Sequence, residues 1–473
     1  VTEAAARLLA DPAFAALKAF ILEATGLVYY ADRDEDLALR LQRRLECLSL
    51  PDCGSYFSHL RVPGSEEMDR LVAELTIGET YFFRHPEQFQ ALRQRALPDI
   101  LERVRPTRHL RIWCAGCATG PEPYSLSILL RREMGLALAG WKISILGTDI
   151  NKEFLAQARR ARFPDWSLRG LDEDLRQACF RREGAEWVLD PAYCEGVFFQ
   201  YHNLVRHPFP SVVEGLCAFD LIFCRNVMIY FDRQLCSRLV PQLERSLVEG
   251  GWLVVAPAEL DGQLFASFQT VSEAGAFLYR KGGSPEPETP WVAPPLPTLP
   301  EPAGDLFEAA SPGSPGQALP ARAELPGTFQ PGSAPQPWAR EAADDLDVLR
   351  QLADRGRWEE AEGLCRRLAE RRRLDPLVHL YRGLVAEQRG RPQEAEQALR
   401  QAVYLDRRGP LAHYHLGLLL QRQGRSAEAR RSLRNVVEVL NGADPARVLP
   451  HADGLTCGDL KELARMQLEV EEL

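Results

Sequence analysis

LRIWCAGCATGPEPYS, residues 110–125, decides the reading of the chain. A short apolar run broken by Arg111 ends in Ala115-Gly116, and a helix follows from Pro123: a buried strand feeding a helix through a glycine-bearing turn. The rhythm recurs in KISILGTDI (142–150) before a helix from Lys152, in AFDLIFCRN (218–226) before a helix from Arg233, and in GGWLVVAPAEL (250–260). Strands alternating with helices predict an α/β fold with a doubly wound, mostly parallel sheet. Residues 171–203 interrupt that rhythm with Trp187-Val188-Leu189 and Val197-Phe198-Phe199, which read as a small antiparallel insertion. Upstream, residues 1–80 predict amphipathic helices, as in Leu37-Leu39-Leu41-Leu45 with charges between and in Met68, Leu71 and Leu75 at helical spacing.

Beyond the sheet the composition changes sharply. Residues 282–338 contain 15 of the 34 prolines, too many for helix or ladder hydrogen bonds, and read as a partly extended linker. After it, GRWEEAEGLCRRLA, GRPQEAEQALRQAV and GRSAEARRSLRNVV begin at Gly356, Gly390 and Gly424, a spacing of 34 residues each time. A 34-residue period built from two helices resembles tetratricopeptide (TPR) repeats, with Gly383 and Gly417 as close crossings and Leu384, Leu399, Leu418 and Leu433 as shared core. About three repeats and a closing helix from near Asp459 make an all-α solenoid.

In a doubly wound sheet the ligand sits beyond the carboxyl ends of the strands. Gly116 and Gly120 let the backbone approach a ligand, and Asp149 at the end of the second strand can accept both hydroxyls of a ribose. The loop lacks the GxGxxG spacing that would seat a pyrophosphate, which argues against a nicotinamide dehydrogenase and for a nucleoside without a diphosphate, S-adenosylmethionine. Cys114 and Cys117 form a CxxC without a second pair or nearby histidine, so no metal is expected there.

Further segments carry a resemblance: Gly78-Glu79-Thr80-Tyr81-Phe82-Phe83-Arg84, Arg111-Ile112-Trp113, Glu122-Pro123-Tyr124-Ser125, Tyr201-His202-Asn203-Leu204 and Phe223 to Phe231. In this order they resemble the chemotaxis receptor methyltransferases, the CheR family of protein-glutamate O-methyltransferases, over about residues 10–281; the tail resembles the TPR-bearing branch. The resemblance implies a helical substrate-docking subdomain at 1–85, a Rossmann-like methyltransferase domain at 86–281 and TPR repeats at 339–473. It implies cofactor contacts from Thr80, Arg84, Glu122, Asp149, Asn203, Leu204, Arg225 and Asn226. It further implies that Arg111 orients the acceptor carboxylate, with Tyr230 as a second candidate, and that Arg40, Arg43 and Arg44 form a basic face for the receptor. Gly78 departs from the family's usual asparagine, and Ala256-Pro257 from a His-Ser pair. The implied partners are cytoplasmic helices of a chemoreceptor, plus a protein or peptide in the TPR groove. Phe180 to Trp187 carries a single glycine, so no binding of a receptor's C-terminal pentapeptide is expected. The alternative function is a TPR scaffold of a chemosensory complex with a silent methyltransferase domain.

Composition narrows the rest. Lys+Arg is 57 against Asp+Glu 66, a net charge of −9, which gives no support to a broad nucleic-acid surface. No apolar run suits a membrane span or a secretory signal, and eleven cysteines without framework spacing suggest reduced thiols. The expected setting is cytoplasmic, with recruitment to membrane receptor arrays and no direct membrane insertion.

Overall fold

The computed structural model describes residues 3–62, 65–282, 337–452 and 454–469, so nearly all of the proline-rich stretch at 282–338 lies outside the described residues. Ten strands form: β1 (His109–Ala115), β2 (Lys142–Asp149), β3 (Arg162–Pro164), β4 (Phe180–Glu183), β5 (Glu186–Leu189), β6 (Val197–Tyr201), β7 (Phe219–Cys224), β8 (Leu247–Val255), β9 (Gln269–Glu273) and β10 (Ala276–Arg280). Seven make one sheet in the order β6-β2-β1-β7-β8-β10-β9. The first five of that order run parallel, and β10 is antiparallel to both its neighbours. Helices cover the sheet, so the inner strands are apolar on both faces: every residue of β7 is buried, as are Trp113 of β1 and Trp252 of β8.

One boundary differs from the sequence reading. Val197-Phe198-Phe199 does not belong to the antiparallel insertion; it lies in β6, parallel to β2, with Phe199 beside Gly147. A Cβ on Gly147 would stand 2.8 Å from the Phe199 ring, so the glycine makes room for it. The insertion is the three-stranded sheet β3-β5-β4, spanning 162–189. A three-residue apolar run carries no period that separates an edge strand of one sheet from a strand of another.

The N-terminal helices Phe14–Thr25, Asp34–Leu48, Cys53–Leu60 and Glu67–Leu75 share a core around Leu17, Ile21, Leu41, Tyr56 and Leu71. This core takes up much of the expected basic face. Arg44 donates Nε and Nη2 to both oxygens of Glu67 at 2.9 and 2.8 Å, and Tyr56 adds a hydroxyl donor at 2.8 Å. Arg40 caps the carbonyl of Glu74, leaving Arg43 as the exposed member, 3.4 Å from the Glu74 carboxylate. Arg44 is therefore a structural ion-pair partner, not part of a docking surface, because its helix face turns toward Glu67–Leu75.

At the other end, helices Trp358–Arg371, Pro376–Gln388, Pro392–Leu405, Pro410–Arg422 and Ser426–Val439 repeat in step, and Cys457–Glu469 follows them. Gly356, Gly390 and Gly424 take φ of +70°, +72° and +73°, the same left-handed turn once per period. A Cβ on Gly383 or Gly417 would lie 2.7 or 2.8 Å from Cγ of Leu399 or Leu433, so the crossings leave no room for a side chain.

The repeats do not stand apart as a tethered module. They cluster with residues 1–284 in one compact unit. Val212, Val213, Cys217 and Ala218, just before β7, are buried in the same apolar cluster as Leu346, Tyr381 and Tyr414. Val212 N–H donates to Asp354 at 2.7 Å, and Lys152 joins Asp69 at 2.8 Å to Glu462 at 2.7 Å. A chain ending at Lys281 is expected to melt below the full chain, because each re-exposed valine forfeits about 1.5 kcal/mol or more. Val212→Ser with Val213→Ser should improve the solubility of that shortened chain; equal melting temperatures for short and full chains would show that the contact contributes nothing.

Candidate active site

The chain leaves β1 for β2 and β6 on one side and returns to β7 and β8 on the other. A crevice therefore opens where the first loops diverge, beyond Ala115 and Cys224. A cavity of about 300 Å³ lies there, walled on its far side by the N-terminal helices and residues 75–84. Its floor is the turn after β1. Gly116 has φ +72° and a Cβ there would come within 2.3 Å of Val227, so only glycine fits.

Asp149 closes β2 with one oxygen accepting from Ala118 N–H at 2.9 Å and the other from Asn151 N–H at 2.8 Å. Burial pushes its carboxyl up to about 6, against the pull of those backbone donors. Ile150 N–H adds to those donors, and a carboxylate with about four acceptor positions still has capacity left for a ribose hydroxyl. Asn203 and Leu204, after β6, form another wall. The Asn203 amide is engaged in holding that wall: Oδ1 accepts from Val205 N–H at 2.9 Å, and Nδ2 donates to Ala24 O at 2.9 Å.

Arg225 draws the opposite wall together. It is 6% exposed and donates Nε to Glu122 at 2.6 Å and Nη1 to Arg84 O at 2.7 Å and Gln88 Oε1 at 2.9 Å. Thr80, Arg84, Asn226 and Tyr230 also line the cavity. The Arg84 guanidinium donates to Glu79 O at 2.7 Å, and among the described residues no carboxylate pairs with it. Burial raises the Tyr230 phenol, which therefore stays neutral, and its ring meets Tyr29 edge-on at 6.2 Å.

The donor set suits an amino-acid-bearing nucleoside: a carboxylate for the ribose, a glycine floor, apolar walls, and acid and base side chains side by side. The family model for the CheR methyltransferase, SAM binding domain, matches residues 78–274. Chemotaxis protein methyltransferase 2 of Vibrio cholerae is 30% identical over 284 residues, which cover 59% of this chain and 96% of that protein. The chain belongs to the CheR methyltransferase family. Chemotaxis protein methyltransferase 1 of Pseudomonas aeruginosa is 27% identical over 277 residues, 57% of this chain and 98% of that protein. The probable biofilm formation methyltransferase WspC of the same species is 28% identical over 354 residues, 73% of this chain and 80% of that one. The enzyme is thus a methyltransferase that uses S-adenosylmethionine.

One expected site residue of this CheR-family enzyme is elsewhere. Arg111 sits four residues before the end of β1, about 13 Å of strand away from the crevice. Its Nη2 donates to Gly215 O at 3.0 Å and its guanidinium lies 5.2 Å from the Phe219 ring centroid. It faces a second hollow shared with His109, Lys142 and Arg422 at the repeat helices. Arg111 is placed where it cannot reach an acceptor at the cavity. The cysteines of the CxxC are buried, and burial pushes both thiols well above their ordinary value.

Sequence reasoning passed over Glu259 as a site residue, although it noticed the motif around it. Its carboxylate accepts backbone N–H groups from Ala256 at 2.8 Å, Asn226 at 2.9 Å, Val227 at 2.7 Å and Ile229 at 3.3 Å. It therefore fixes the loop that presents Asn226, whose φ of 59° is left-handed, and Tyr230. Burial raises the Glu259 carboxyl, and the four donors oppose that shift. Glu259→Ala leaves those donors without their partner, at about 1–3 kcal/mol for each that stays buried. The variant is expected to lose stability in chemical denaturation and to bind S-adenosylmethionine at least about tenfold more weakly, a loss of about 1.4 kcal/mol. Wild-type values for both would remove Glu259 from its anchoring role.

Proposed function

We propose that this enzyme transfers the methyl group of S-adenosylmethionine to glutamate side chains on the cytoplasmic helices of a chemoreceptor or related sensory protein, giving glutamyl methyl esters. The observation that carries this reading is the Arg84 guanidinium at the cavity, with no carboxylate partner among the described residues and the Tyr230 hydroxyl on the same lining. The names of the related proteins support the chemotactic setting. A cytoplasmic enzyme recruited to receptor arrays follows from that substrate.

When bound, the cofactor supplies an electrophilic methyl group on a sulfonium. Asp149 holds the ribose, Leu204 covers the base on a wall fixed by Asn203, and Glu122 offers its second oxygen to the ammonium. Arg225 keeps Glu122 in place while Thr80 and Asn226 flank the reacting end. A glutamate with a pKa near 4.3 is ionised at neutral pH, so no general base is required. Arg84 takes the role first given to Arg111: it orients the acceptor carboxylate without taking its proton, and Tyr230 can donate to the same oxygen pair. Acceleration then comes chiefly from alignment of the two reactants.

Membranes bearing receptors, incubated with radiolabelled S-adenosylmethionine, should acquire base-labile label; absence of label on any glutamate would refute the proposal. Arg84→Ala should lower turnover about 10²-fold, the scale of losing one oriented donor. Arg111→Ala should leave turnover within about twofold, well under the 1.4 kcal/mol of a tenfold effect. The reverse pattern in kinetics would restore the original assignment.

Asp149 adds a pH dependence. Its carboxyl titrates at about 6, and the protonated form loses acceptor capacity for the ribose. Cofactor affinity should fall as pH drops through about 6, by at most about tenfold per pH unit for one coupled proton. The effect on folding has the opposite sign: a raised folded-state pKa means that ionised Asp149 opposes folding above pH 6, and acidification toward the ordinary carboxylate range relieves that cost. Calorimetry on Asp149→Asn should show weak binding with a flat profile; the wild-type slope in that variant would assign the titration to another group.

A further inference from the structure

His202, on the wall of the cofactor cavity, joins a group of donor atoms to which the proposed methyl transfer gives no role. His202, His207 and Glu214 each bring one ligand-type atom, all within 4.8 Å of one another. The backbone builds this cluster deliberately. His202 N–H donates to Asp149 O at 3.1 Å where β6 ends, and His207 N–H donates to Asn203 O at 2.9 Å, folding the turn back on itself. The two imidazole rings consequently meet edge-on at 5.3 Å. Glu214 arrives from the tight turn closed by the Ser211–Leu216 bridge, with its N–H on Ser211 Oγ at 3.1 Å.

The spacing suits a metal better than it suits a hydrogen bond alone. His202 Nδ1 and Glu214 Oε2 are 3.3 Å apart, close to the roughly 3.4 Å edge of a tetrahedron with 2.0–2.1 Å bonds. Both side chains are fully enclosed, at 0% and 2% exposure, and His202 Nε2 is buried without a hydrogen-bond partner. On the last helix, Asp459 Oδ1 lies 4.0 Å from His207 Nε2, and its other oxygen accepts from Thr456 N–H. Two imidazoles with carboxylates suit a borderline transition ion, whereas calcium and magnesium prefer all-oxygen sets.

We propose that His202, His207 and Glu214, with Asp459 as the fourth donor, bind a zinc-class divalent ion. The ion ties the wall that carries Asn203 and Leu204 to the segment 211–218 and to the terminal helix. It pins the repeats to the catalytic domain at the place where that domain holds its cofactor.

The test uses the full chain, stripped with a chelator and titrated with Zn²⁺ against a chromophoric competitor, then with Co²⁺ as a spectroscopic probe. The proposal expects about one zinc per chain, visible cobalt bands of a four-coordinate nitrogen–oxygen site, and a rise in melting temperature with zinc. His207→Ala should weaken zinc binding at least about 100-fold and Asp459→Asn about tenfold, losses on the scale reported when metal ligands or their supports are removed. The Asp459 variant alters an exposed carboxylate, so it keeps the test open if His207→Ala fails to fold. Sub-stoichiometric zinc in the full chain, or unchanged affinity in both variants, overturns the site and identifies His202–Glu214 as a buried hydrogen bond alone.

Discussion

The site depends first on a buried ion pair. Arg225 gives up nearly all its hydration to reach Glu122, and in a low-dielectric interior such a pair contributes only when its remaining donors are also satisfied. Here they find Arg84 O and Gln88 Oε1, so one guanidinium ties three separate segments: the helix after β1, the segment 84–88 and the loop after β7. Gln88 in turn donates to Val255 O at 2.7 Å, extending the network to the end of β8. Each of those segments lines the cavity or supports its lining. The ion pair costs desolvation, and what it returns is a single arrangement of the loops, which a methyl acceptor and donor held in line both require.

Glu259 completes that arrangement from the other side. It is a buried carboxylate without a cationic partner in its hydrogen-bond set, satisfied by backbone N–H groups. Such a group stabilises one loop conformation without bringing a cation of its own to the site. Arg225 and Glu259 thus divide the work between side-chain and main-chain partners, and the residues at the mouth, Arg84 and Tyr230, are presented by segments that these two hold.

What could be read from the chain follows from how local each signal is. The glycine turn at 116, Asp149 at the end of β2 and the 34-residue period were legible because each rests on a few adjacent residues or on strict repetition. Arg111 was misplaced for a reason of direction: the strand carries it to the end of the sheet opposite the crevice, and only its distance from Ala115 along β1 reveals this. Arg44 was misread because helical spacing shows which residues share a face but not what the face meets, here Glu67. Glu259 and the assignment of β6 depend on contacts with residues distant in sequence, which no local pattern encodes.

The seating of the repeats changes how their role should be understood. A module on a flexible linker raises the local concentration of its cargo without altering the enzyme. Here Val212 to Ala218 lie among the repeat helices, and the same stretch of chain, followed backwards, reaches Asn203 and Leu204 within ten residues. Tyr381 and Tyr414 are buried in the same apolar cluster as Val212 and Val213, and separating the two halves would expose apolar surface that packing had removed from water. The contact between the two halves of the chain rests on buried Val212 and Val213 and on Lys152 bridging Asp69 to Glu462, so the repeats are part of the packing of the enzyme rather than cargo on a tether.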